Sequence, residues 1–593
     1  MAVITAECEE EMNVWNIDEI PKLLKLARRY AKSYVTGEKD LKIAVLGSYS
    51  IQHFVSVLRF LLHEEGIDAN IYEGEYDGIL MDVLNEDSEL YQFKPSMVIL
   101  LPSIKDIKEF PILGSDAESI EQLADKQVKL YQGIWNKLEA SLGCQILQAN
   151  FVLPIERALG NLESNYEYSR SYYYKKINTK LERKRGGNVT IIDMDYWAGV
   201  VGKINWFDNS SYYLSKTGFR MDYIGIVAEV FVKQILALTG KVKKCLVLDL
   251  DNTLWGGVVG DDGCMGIQLD PNNAIGEAYR AFQQYVLQLK ERGVILAVCS
   301  KNEEDIAKEP FEKNDKMILK LDDISCFIAN WEDKAGNIRT IASKLNIGVD
   351  SLVFFDDNPA EREIVKKFVP EVLVVDVPED PADYVQALSL CMPFEWGQLT
   401  GEDFKRTQSY LQNSKRQELE SSFVNYDEYL QALDMVGSVE EIDAFSKERF
   451  AQLINKSNQF NLRTIRYTEA AIEQMMQEED TKLLAVSLKD KFSDYGIISC
   501  IILKKNGEEC FADTWVMSCR VLKRGVEEFA FSHVCDVARE MGCSRLVGEY
   551  IPTQKNRMVK DFYPGLGFEK LSENKYVYDL TKVYDKKIWI KEN

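Results

Sequence analysis

Histidine is scarce in this sequence, and its scarcity limits the chemistry that the chain can perform. Only His53, His63 and His533 occur among the 593 residues. A histidine-based metal cluster or a histidine-dependent catalytic triad is therefore excluded from most of the chain. The twelve cysteines contain no Cys-x-x-Cys pair, which indicates reduced, mostly buried thiols rather than a disulfide framework or a zinc site.

Long apolar runs and net positive charge are missing as well. No apolar stretch approaches the ~20 residues of a membrane span, and the acid-rich residues 1–12 do not resemble a signal peptide. We therefore expect a cytoplasmic protein that makes no membrane contact. The formal net charge of −23 argues against sequence-independent binding of nucleic acid, which requires a basic surface.

The composition is otherwise typical of several globular domains. Hydrophobic residues make up 46% of the chain and charged residues 28%. The length suffices for about three or four domains. Strand patterns alternate with helix patterns along most of the sequence, which predicts an α/β protein with doubly wound sheets.

The stretch KKCLVLDLDNTLWGGVVGDDG, residues 243–263, converts a strand into a pair of acidic side chains. Cys245 to Leu248 form a short apolar run typical of a buried parallel strand. Asp249 and Asp251 follow at its carboxyl end, where ligands of open α/β sheets bind. Two carboxylates on one side of an extended backbone require a cation or a shared proton. The pair is a candidate for metal binding and acid/base chemistry, and the alternative is that it caps the following helix.

Three later segments favour the first interpretation. The strand pattern GVILAVCSKN ends near Ser300, SLVFFDDNP ends in Asp356 and Asp357, and Lys334 lies between them in NWEDKAGN. This order resembles the four motifs of the haloacid dehalogenase (HAD) superfamily of phosphotransferases. The chemistry agrees, because Mg²⁺ prefers carboxylate oxygens while Ser and Lys bind phosphate oxygens.

The HAD resemblance implies a role for each acidic residue. Asp249 would be the nucleophile that forms an aspartyl-phosphate, and Asp251 would be the general acid/base for the leaving group. Asp249, the backbone carbonyl of Asp251 and Asp356 would hold Mg²⁺. For Asp357, support of the ligands and ligation itself both stay open.

The same resemblance assigns the phosphate-binding groups. Ser300 and Lys334 would bind the phosphoryl oxygens, and Asn302, which lies close to Ser300 in sequence, is a candidate substrate-binding residue. Only the short turn WGGVVGDDGCMG follows the first motif, at a place where relatives often insert a lid domain. The site is therefore expected to be open.

Part of the chain before the HAD-like segment resembles the SGNH hydrolase fold, in which a strand-end serine is the nucleophile. Ser48 follows the strand pattern LKIAVLG, and Asn150 follows a later strand. Such a serine needs a base, but the place where that family carries Asp-x-x-His reads Asp193-Met-Asp-Tyr196. We therefore predict a non-hydrolytic domain that binds or orients a partner.

The last part of the chain resembles the GNAT acyltransferase fold. KNRMVKDFYPGLGF matches the end of that fold, and RVLKRGVEEFAF occupies the place of its pyrophosphate-binding turn and helix start. The resemblance implies a phosphopantetheine arm held by four candidate residues, namely Arg524, Gly525, Asn556 and Tyr563. The alternative is a purely structural GNAT-like domain, because the glycine-rich pattern is degenerate.

The expected fold class is α/β and multidomain, with a doubly wound SGNH-like domain, an uncapped HAD-like Rossmannoid domain and a GNAT-like α+β domain. The predicted bounds are 1–40 for an amino-terminal helical segment, 41–240 for the SGNH-like domain, 241–395 for the HAD-like domain, 396–440 for a helical linker and 441–593 for the GNAT-like domain.

Together the three segments resemble the FkbH family, which belongs to HAD subfamily IIIC. The strings YEGEYD, DLDNTLWGGVVG, LNIGVDSLVFFDDNPAERE and INKSNQFNLRT contribute to a match over nearly the whole chain. The resemblance implies a glyceryltransferase that takes D-glyceryl from 1,3-bisphosphoglycerate and loses both phosphates. It would deliver a glyceryl thioester to the phosphopantetheine of an acyl carrier protein in polyketide and related pathways.

Such a transfer calls for a thiol, because a thiolate can attack the carbonyl of an acyl phosphate. Cys299, next to Ser300, is our first candidate for a cysteine thioester, and Cys519 is the second. For either, a buried inert cysteine is the alternative. Lys523 and Arg524 are expected to help recognise an acidic carrier, since two acidic proteins otherwise repel each other.

Two other functions stay open on the sequence alone. The first is a HAD phosphatase of a small phosphorylated metabolite, with flanking domains that only recognise the substrate. The second is a non-catalytic scaffold that docks a carrier protein. The intact set of Asp249, Asp251, Lys334 and Asp356 argues against the scaffold, because unpaired buried charges would destabilise a fold with no metal or phosphate to hold.

Overall fold

A computed structural model of the chain describes residues 13–37, 40–397, 423, 425–457, 459–553, 555–585 and 588–592. Strands and helices in these residues build two five-stranded sheets and one eight-stranded sheet. The predicted α/β, multidomain fold class is confirmed. Much of the predicted linker at 396–440 lies outside the described residues.

The strands are numbered here in chain order. They are β1 Leu41–Gly47, β2 Ala69–Glu73, β3 Met97–Leu101, β4 Gln145–Ala149, β5 Val189–Ile192, β6 Cys245–Leu248, β7 Ile295–Ser300, β8 Cys326–Ala329, β9 Leu352–Phe355, β10 Leu373–Val374, β11 Val436–Glu441, β12 Thr481–Lys489, β13 Asp494–Asn506, β14 Glu509–Met517, β15 Arg545–Glu549, β16 Glu569–Lys570, β17 Lys575–Asp579 and β18 Lys591–Glu592.

The α-helices are numbered in the same way. They are α1 Ile20–Ser33, α2 Gln52–Glu64, α3 Ile79–Leu84, α4 Glu89–Phe93, α5 Ala117–Leu142, α6 Arg170–Lys184, α7 Met194–Val200, α8 Lys203–Trp206, α9 Asn209–Ser215, α10 Ile224–Leu238, α11 Val259–Asp262, α12 Ala274–Glu291, α13 Glu304–Lys313, α14 Lys334–Leu345, α15 Pro359–Phe368, α16 Tyr384–Leu390, α17 Tyr426–Ala432, α18 Lys447–Lys456, α19 Glu469–Met475, α20 Val526–Glu540 and α21 Phe562–Gly565.

The first sheet contains its strands in the order β2-β1-β3-β4-β5, and all of them are parallel. The sequence of β3, MVILL, is buried at every position, as expected for a strand covered on both faces. Ser48 and Asn150 follow β1 and β4 directly. Both residues therefore lie at the carboxyl edge of this sheet.

The second sheet has the order β10-β9-β6-β7-β8, again with parallel pairs throughout. Leu248 is in register with Val298 on one side and with Phe355 on the other. Alternate residues of β6 join two apolar clusters, so that Cys245 packs on one face and Leu248 on the other. The polar residues that follow these strands are left at one edge of the sheet.

The third sheet is mixed and has the order β16-β17-β15-β14-β13-β12-β11-β18. Past Ala512, β14 no longer pairs with β15. Leu462 lies between the two chain segments there, because its N–H donates to the backbone oxygen of Trp515 at 3.3 Å and its own oxygen accepts from Ile551 N–H at 2.8 Å. The chain itself therefore fills this gap in the sheet.

Helix α17 lies within the predicted linker, and strand β11 begins in the linker and extends beyond it. Helix α17 is complete before residue 440, and β11 already begins at Val436, where it pairs with Lys489 of β12. The third sheet therefore starts earlier in the chain than the predicted bound of 441. In the predicted helical segment 1–40, the structure describes α1.

The chain divides into two compact units, Met1–Ile235 with Thr468–Ala471, and Leu236–Tyr467 with Ile472–Asn593. The first sheet lies in the first unit, and the second and third sheets lie in the second unit. The other domain bounds stay predictions. Within the described ranges, no helix is both long enough and apolar enough to cross a membrane.

Candidate active site

The carboxyl edge of the second sheet gathers several residues of the predicted HAD motifs. Asp249 directly follows β6, and its N–H donates to the backbone oxygen of Phe355 at 3.1 Å. Asp356 directly follows β9. Lys334 is the first residue of α14, a helix capped by Asp333. Two neighbouring strand ends and one helix start therefore meet at this edge.

An ammonium group bridges the two strand-end carboxylates. Lys334 Nζ lies 2.8 Å from Oδ2 of Asp249 and 2.5 Å from Oδ2 of Asp356. All three side chains are buried, and Asp356 has no exposed surface at all. The structure therefore brings together Asp249, Lys334 and Asp356 as the sequence predicts.

Burial and mutual repulsion control the protonation of this cluster. Burial and the neighbouring Asp249 raise the pKa of Asp356 to about 7, although Lys334 opposes the shift. Burial acts to lower the pKa of Lys334, but Asp249 and Asp356 together raise it above its ordinary value. Burial, and after it Asp249, also raises the pKa of Asp357. Three carboxyl groups therefore compete for one ammonium group.

Asp249, Asp356 and Asp357 form a set that could hold a metal ion, with one oxygen of each within 4.8 Å of the others. Oδ1 of Asp249 is buried and has no hydrogen-bond partner among the described residues. An orphaned carboxylate oxygen costs free energy unless a cation or a donor meets it. These hard oxygen ligands suit Mg²⁺, so the residues fit the predicted cofactor. Asp357, whose role the sequence left open, joins the set.

The side chain of Asp251 is held apart from this metal-binding set. Its Oδ1 accepts from Trp255 Nε1 and from Val259 N–H, both at 2.9 Å, and its Oδ2 accepts from Asn302 Nδ2 at 2.8 Å. Burial, more than any other cause, raises the pKa of Asp251, and Asp249 adds to the shift. A raised pKa suits the predicted acid/base role. Ligation through the backbone carbonyl of Asp251 stays a prediction.

Ser300 and Asn302 lie at the end of β7, both buried. The backbone oxygen of Ser300 accepts from Asn330 N–H at 3.1 Å, which joins the loops after β7 and β8. The amide of Asn302 donates to Asp251. Asn302 therefore contacts the predicted acid/base residue, and its predicted contact with a substrate stays a prediction.

Cys299 does not face the open edge. It is fully buried in an apolar cluster with Cys245, and its Sγ lies 3.9 Å from the backbone oxygen of Lys334. Burial raises the pKa of the Cys299 thiol well above its ordinary value. Alternation along β7 explains this orientation, because adjacent side chains point to opposite faces. A buried neutral thiol is a poor nucleophile, so the geometry weighs against the predicted thioester on Cys299.

The second candidate thiol, Cys519, begins the short turn Cys519–Val521 after β14. Its side chain lies outside the described residues. Its role as an acyl carrier stays a prediction.

A short turn follows β6 in place of a lid domain. Trp255 is fully buried, Gly256 forms a β-bridge with Gln268, and α11 lies between them. Residues 249–273 are all described and contain no further strand or long helix. The predicted uncapped arrangement agrees with this compact turn.

In the first unit, the predicted strand-end serine has an acidic partner. Ser48 Oγ donates to Oδ2 of Asp106 at 2.6 Å, and Asn150 Nδ2 donates to Oδ1 of Asp193 at 2.7 Å. Burial raises the pKa of Asp106, although Ser48 opposes the shift. The structure gives Ser48 no histidine partner among the described side chains, so the non-hydrolytic prediction is kept.

The predicted pantetheine residues of the third sheet are engaged inside the fold. Arg524 is buried, donates to the hydroxyl of Tyr495 at 2.5 Å and lies 3.6 Å from Oδ2 of Asp490. Gly525 follows with a positive φ of 79° at the start of α20, a conformation that favours glycine. This placement of Arg524 differs from its predicted contacts with pantetheine and with a carrier protein.

The other two pantetheine candidates are also buried. Asn556 Nδ2 donates to the backbone oxygens of Asn461 and Ile551, both at 2.9 Å. The ring of Tyr563 fills the space beside Gly548, where an added Cβ would lie only 2.2 Å from it. Both side chains therefore hold neighbouring segments of the fold together, and a pantetheine contact for them stays a prediction without support from this geometry.

Two site residues were not singled out in the sequence. Thr253 Oγ1 and Asp357 exchange hydrogen bonds of 3.2 Å, in which the Asp357 N–H and the Thr253 hydroxyl each donate. Arg362 Nη1 donates to the backbone oxygens of Asp356 and Asp357, both at 2.8 Å. Their positions within DLDNT and DDNPAER, next to the acidic motifs, were the available signal.

Comparisons with known proteins agree with this geometry. A model described as FkbH, N-terminal domain, matches residues 42–236. The solved N-terminal part of the protein BF1531 from Bacteroides fragilis, which contains a phosphatase domain complexed with Mg, is 35% identical and has a TM-score of 0.58. The alignment covers 64% of this chain and 99% of that chain. The chain belongs to the FkbH family. With its carboxylates and its lysine in place, this FkbH-family protein is an enzyme.

Shorter alignments link the FkbH-family chain to acetyltransferases. The ribosomal-protein-S18-alanine N-acetyltransferase from Escherichia coli is 12% identical over 24% of this chain and 91% of that one. The GNAT domain of S. lividans PAT is 16% identical over 24% of this chain and 90% of that one. Both TM-scores are 0.19, and no activity follows from them. No curated protein sequence matches this FkbH-family chain.

Proposed function

We propose that this FkbH-family protein is a glyceryltransferase that also acts as a phosphatase. Its donor is 1,3-bisphosphoglycerate and its acceptor is the phosphopantetheine of an acyl carrier protein. The observation that carries the proposal is the orphaned Asp249 Oδ1 beside the carboxyl groups of Asp356 and Asp357 and the ammonium group of Lys334. Such a set can hold Mg²⁺ and a phosphoryl group at once.

Binding of the donor depends on exchange of partners at Lys334. The ammonium group now contacts two carboxylates, and an incoming phosphate would replace one of them as a charge-assisted acceptor. Asp249, Asp356 and Asp357 would hold Mg²⁺, and the ion would supply positive charge to offset the phosphoryl oxygens. Only a short turn, and no lid domain, follows β6, so we expect a donor and the thiol at the end of a carrier's arm to reach this edge.

The acyl-transfer step breaks the mixed anhydride of the donor. An acceptor thiol loses its proton to solvent, and its sulfur attacks the C1 carbonyl carbon. A carbon–sulfur bond forms while the carbon–oxygen bond to phosphate breaks, and inorganic phosphate leaves with the bonding electron pair. The ammonium group of Lys334, which contacts Asp249 here, would bind the departing phosphate.

The second step removes the C3 phosphate. An oxygen of Asp249 attacks phosphorus, the bond to the C3 oxygen breaks, and Asp251 gives that oxygen a proton. Water then attacks the aspartyl-phosphate, returns a proton to Asp251 and releases inorganic phosphate. The raised pKa of Asp251 lets it hold the proton that the first half of this step requires.

The buried position of Cys299 favours direct transfer to the carrier's thiol over a thioester on this cysteine. Cys299→Ala is therefore expected to retain glyceryl transfer. A glyceryl adduct mapped to Cys299 in the wild type, together with lost transfer in a folded Cys299→Ala, would restore the thioester route. An adduct on Cys519 would place the intermediate at the third sheet.

A simple phosphatase is the second candidate, and the same burial of Cys299 favours it, because such an enzyme needs no thiol at the site. The two functions differ in whether the glyceryl group becomes attached to the carrier protein.

The test incubates the protein with Mg²⁺, enzymatically generated 1,3-bisphosphoglycerate and a holo carrier protein, and measures carrier mass and free phosphate. Lys334→Met should abolish both products, whereas the control Lys344→Met at the end of the same helix should not. Phosphate release with an unchanged carrier would select the phosphatase.

A further inference from the structure

Helix α1 is strongly basic in a chain that is otherwise acidic. Its fourteen residues, IPKLLKLARRYAKS, include no acidic side chain, whereas the whole chain has a formal net charge of −23. The five basic residues of this helix are Lys22, Lys25, Arg28, Arg29 and Lys32. They concentrate positive potential on one element of the first unit.

The apolar side of α1 fixes the helix against the fold. Ile20, Leu23, Ala27 and Tyr30 are buried, at the spacing expected for one face of a helix. The ring of Tyr30 stacks on His63 of α2 with 4.4 Å between the ring centres. The basic face is therefore held in place and turned outward, so that a partner would not need to order it on binding.

Three basic side chains on this face are available to a partner. Lys25, Arg28 and Lys32 are exposed and follow one another at helical spacing. Among the described residues they form no ion pair. Leu24, which is half-buried, lines a shallow groove together with them and Pro21. The face thus combines unpaired positive charge with a small apolar centre.

From these observations we propose that the basic face of α1 is the docking surface for the acidic carrier protein, an inference that rests on the proposed transfer function. A small acidic carrier can contact this face alone and gain from opposite charge. A membrane or a nucleic acid would also confront the remaining acidic surface of the chain, which opposes both. The sequence had suggested Lys523 and Arg524 for this role, but Arg524 is buried beside Asp490 and Tyr495.

The test reverses the charge of the three available residues together, as Lys25→Glu/Arg28→Glu/Lys32→Glu, in the full chain. The probe is an acidic holo carrier protein. Its binding is measured directly by calorimetry, and its KM is measured in the transfer assay. We expect at least a tenfold weaker affinity and a matching rise in KM, with kcat at saturating carrier and Mg²⁺-dependent phosphate release unchanged. The wild-type affinity for the carrier should also fall as the salt concentration rises from about 50 to 300 mM, because salt screens the attraction between exposed charges.

The matched control is Lys129→Glu/Lys175→Glu/Arg183→Glu, which makes the same change of charge at exposed positions of α5 and α6. It should leave carrier affinity within about twofold of the wild type, the size of effect expected of distant surface charges. The neutral variant Lys25→Gln/Arg28→Gln/Lys32→Gln controls for a folding defect caused by charge reversal. It should weaken carrier binding by a smaller factor than the Glu variant does.

Equal carrier affinity in both reversed variants would overturn the proposal. The proposal would also be overturned if the α1 variant kept its carrier affinity but lost binding to anionic phospholipid vesicles or to DNA. The two proposals fail in different ways. A wild type that binds the carrier through α1 but never transfers glyceryl refutes the transferase alone, whereas normal transfer with an unaffected KM in the α1 variant refutes the docking surface alone.

Discussion

The two side-chain oxygens of Asp249 indicate why the site requires a cation. One of its oxygens contacts Lys334, while the other is buried without a partner in the described structure. Asp356 and Asp357 add two further carboxyl groups nearby, so a single ammonium group cannot balance the cluster. A bound Mg²⁺ would meet the free oxygen and relieve the repulsion between the carboxylates.

Asp249→Asn should lower phosphatase turnover of the C3 phosphate by at least about 10³-fold, because the variant keeps the shape of the side chain but loses the nucleophilic charge. Far-UV circular dichroism and the melting temperature should stay close to the wild type. Phosphate release is followed with 3-phosphoglycerate as substrate. Turnover at the wild-type rate would refute Asp249 as nucleophile.

Magnesium affinity should rise with pH. The folded-state pKa of Asp356 is raised from 3.8 to about 7, so the metal-free protein is destabilised as pH rises from about 4 to about 7, because the unfolded chain gives up this proton first. Mg²⁺ requires the ionised carboxylate. We expect about tenfold weaker Mg²⁺ binding at pH 6 than at pH 8, with release of a proton at the lower pH. Calorimetry in two buffers of different ionisation enthalpy measures both. An affinity independent of pH across this range would contradict the raised pKa of Asp356.

Asn302 should act as a positioning residue through Asp251. Its amide donates to Oδ2 of Asp251 and so favours the ionised carboxylate. Asn302→Ala should therefore raise the pKa of Asp251 further. The basic limb of the kcat profile, along which Asp251 loses the proton that it gives to the leaving oxygen, should then move to higher pH. A changed KM with an unmoved pH profile would instead indicate that Asn302 contacts the substrate directly.

The ends of strands β6 and β9 form the site, and their positions could be predicted from the sequence. Each strand is a short apolar run followed at once by Asp, and parallel strands end at one edge of their sheet. The direction of Cys299 could not be predicted, because alternation permits either face until packing chooses one. The same holds for Arg524 and Asn556, whose partners Asp490 and Asn461 lie far away in sequence.

A separate prediction concerns ester hydrolysis at the carboxyl edge of the first sheet. Ser48 donates to the acidic Asp106, and within the described part of the chain no histidine contacts Ser48 as a base. The protein should therefore not hydrolyse p-nitrophenyl acetate at Ser48. Wild type and Ser48→Ala are compared in the same assay, with Ser56→Ala on α2 as control. Ester turnover that disappears only in Ser48→Ala would contradict a non-hydrolytic domain.

For the whole molecule, the chemistry lies in one unit and the proposed docking helix lies in the other. The second unit contains the carboxylates and Lys334, and also a third sheet whose pantetheine candidates are committed to internal contacts. Three segments of distinct fold could be expected from sequence motifs. The position of Leu462 in the gap beside β14 could not be expected from the sequence, because it depends on backbone contacts between distant segments.

We propose that one edge of the second sheet supports both acyl transfer and removal of the C3 phosphate. The most direct test is the intact mass of a holo carrier after incubation with Mg²⁺, 1,3-bisphosphoglycerate and either wild type or Asp249→Asn. The wild type should add one glyceryl group to the phosphopantetheine thiol. Asp249→Asn should add a phosphoglyceryl group, heavier by one phosphate, because acyl transfer proceeds while the nucleophile for dephosphorylation is missing. An unchanged carrier mass with the wild type, while phosphate is released, would contradict acyl transfer at this edge.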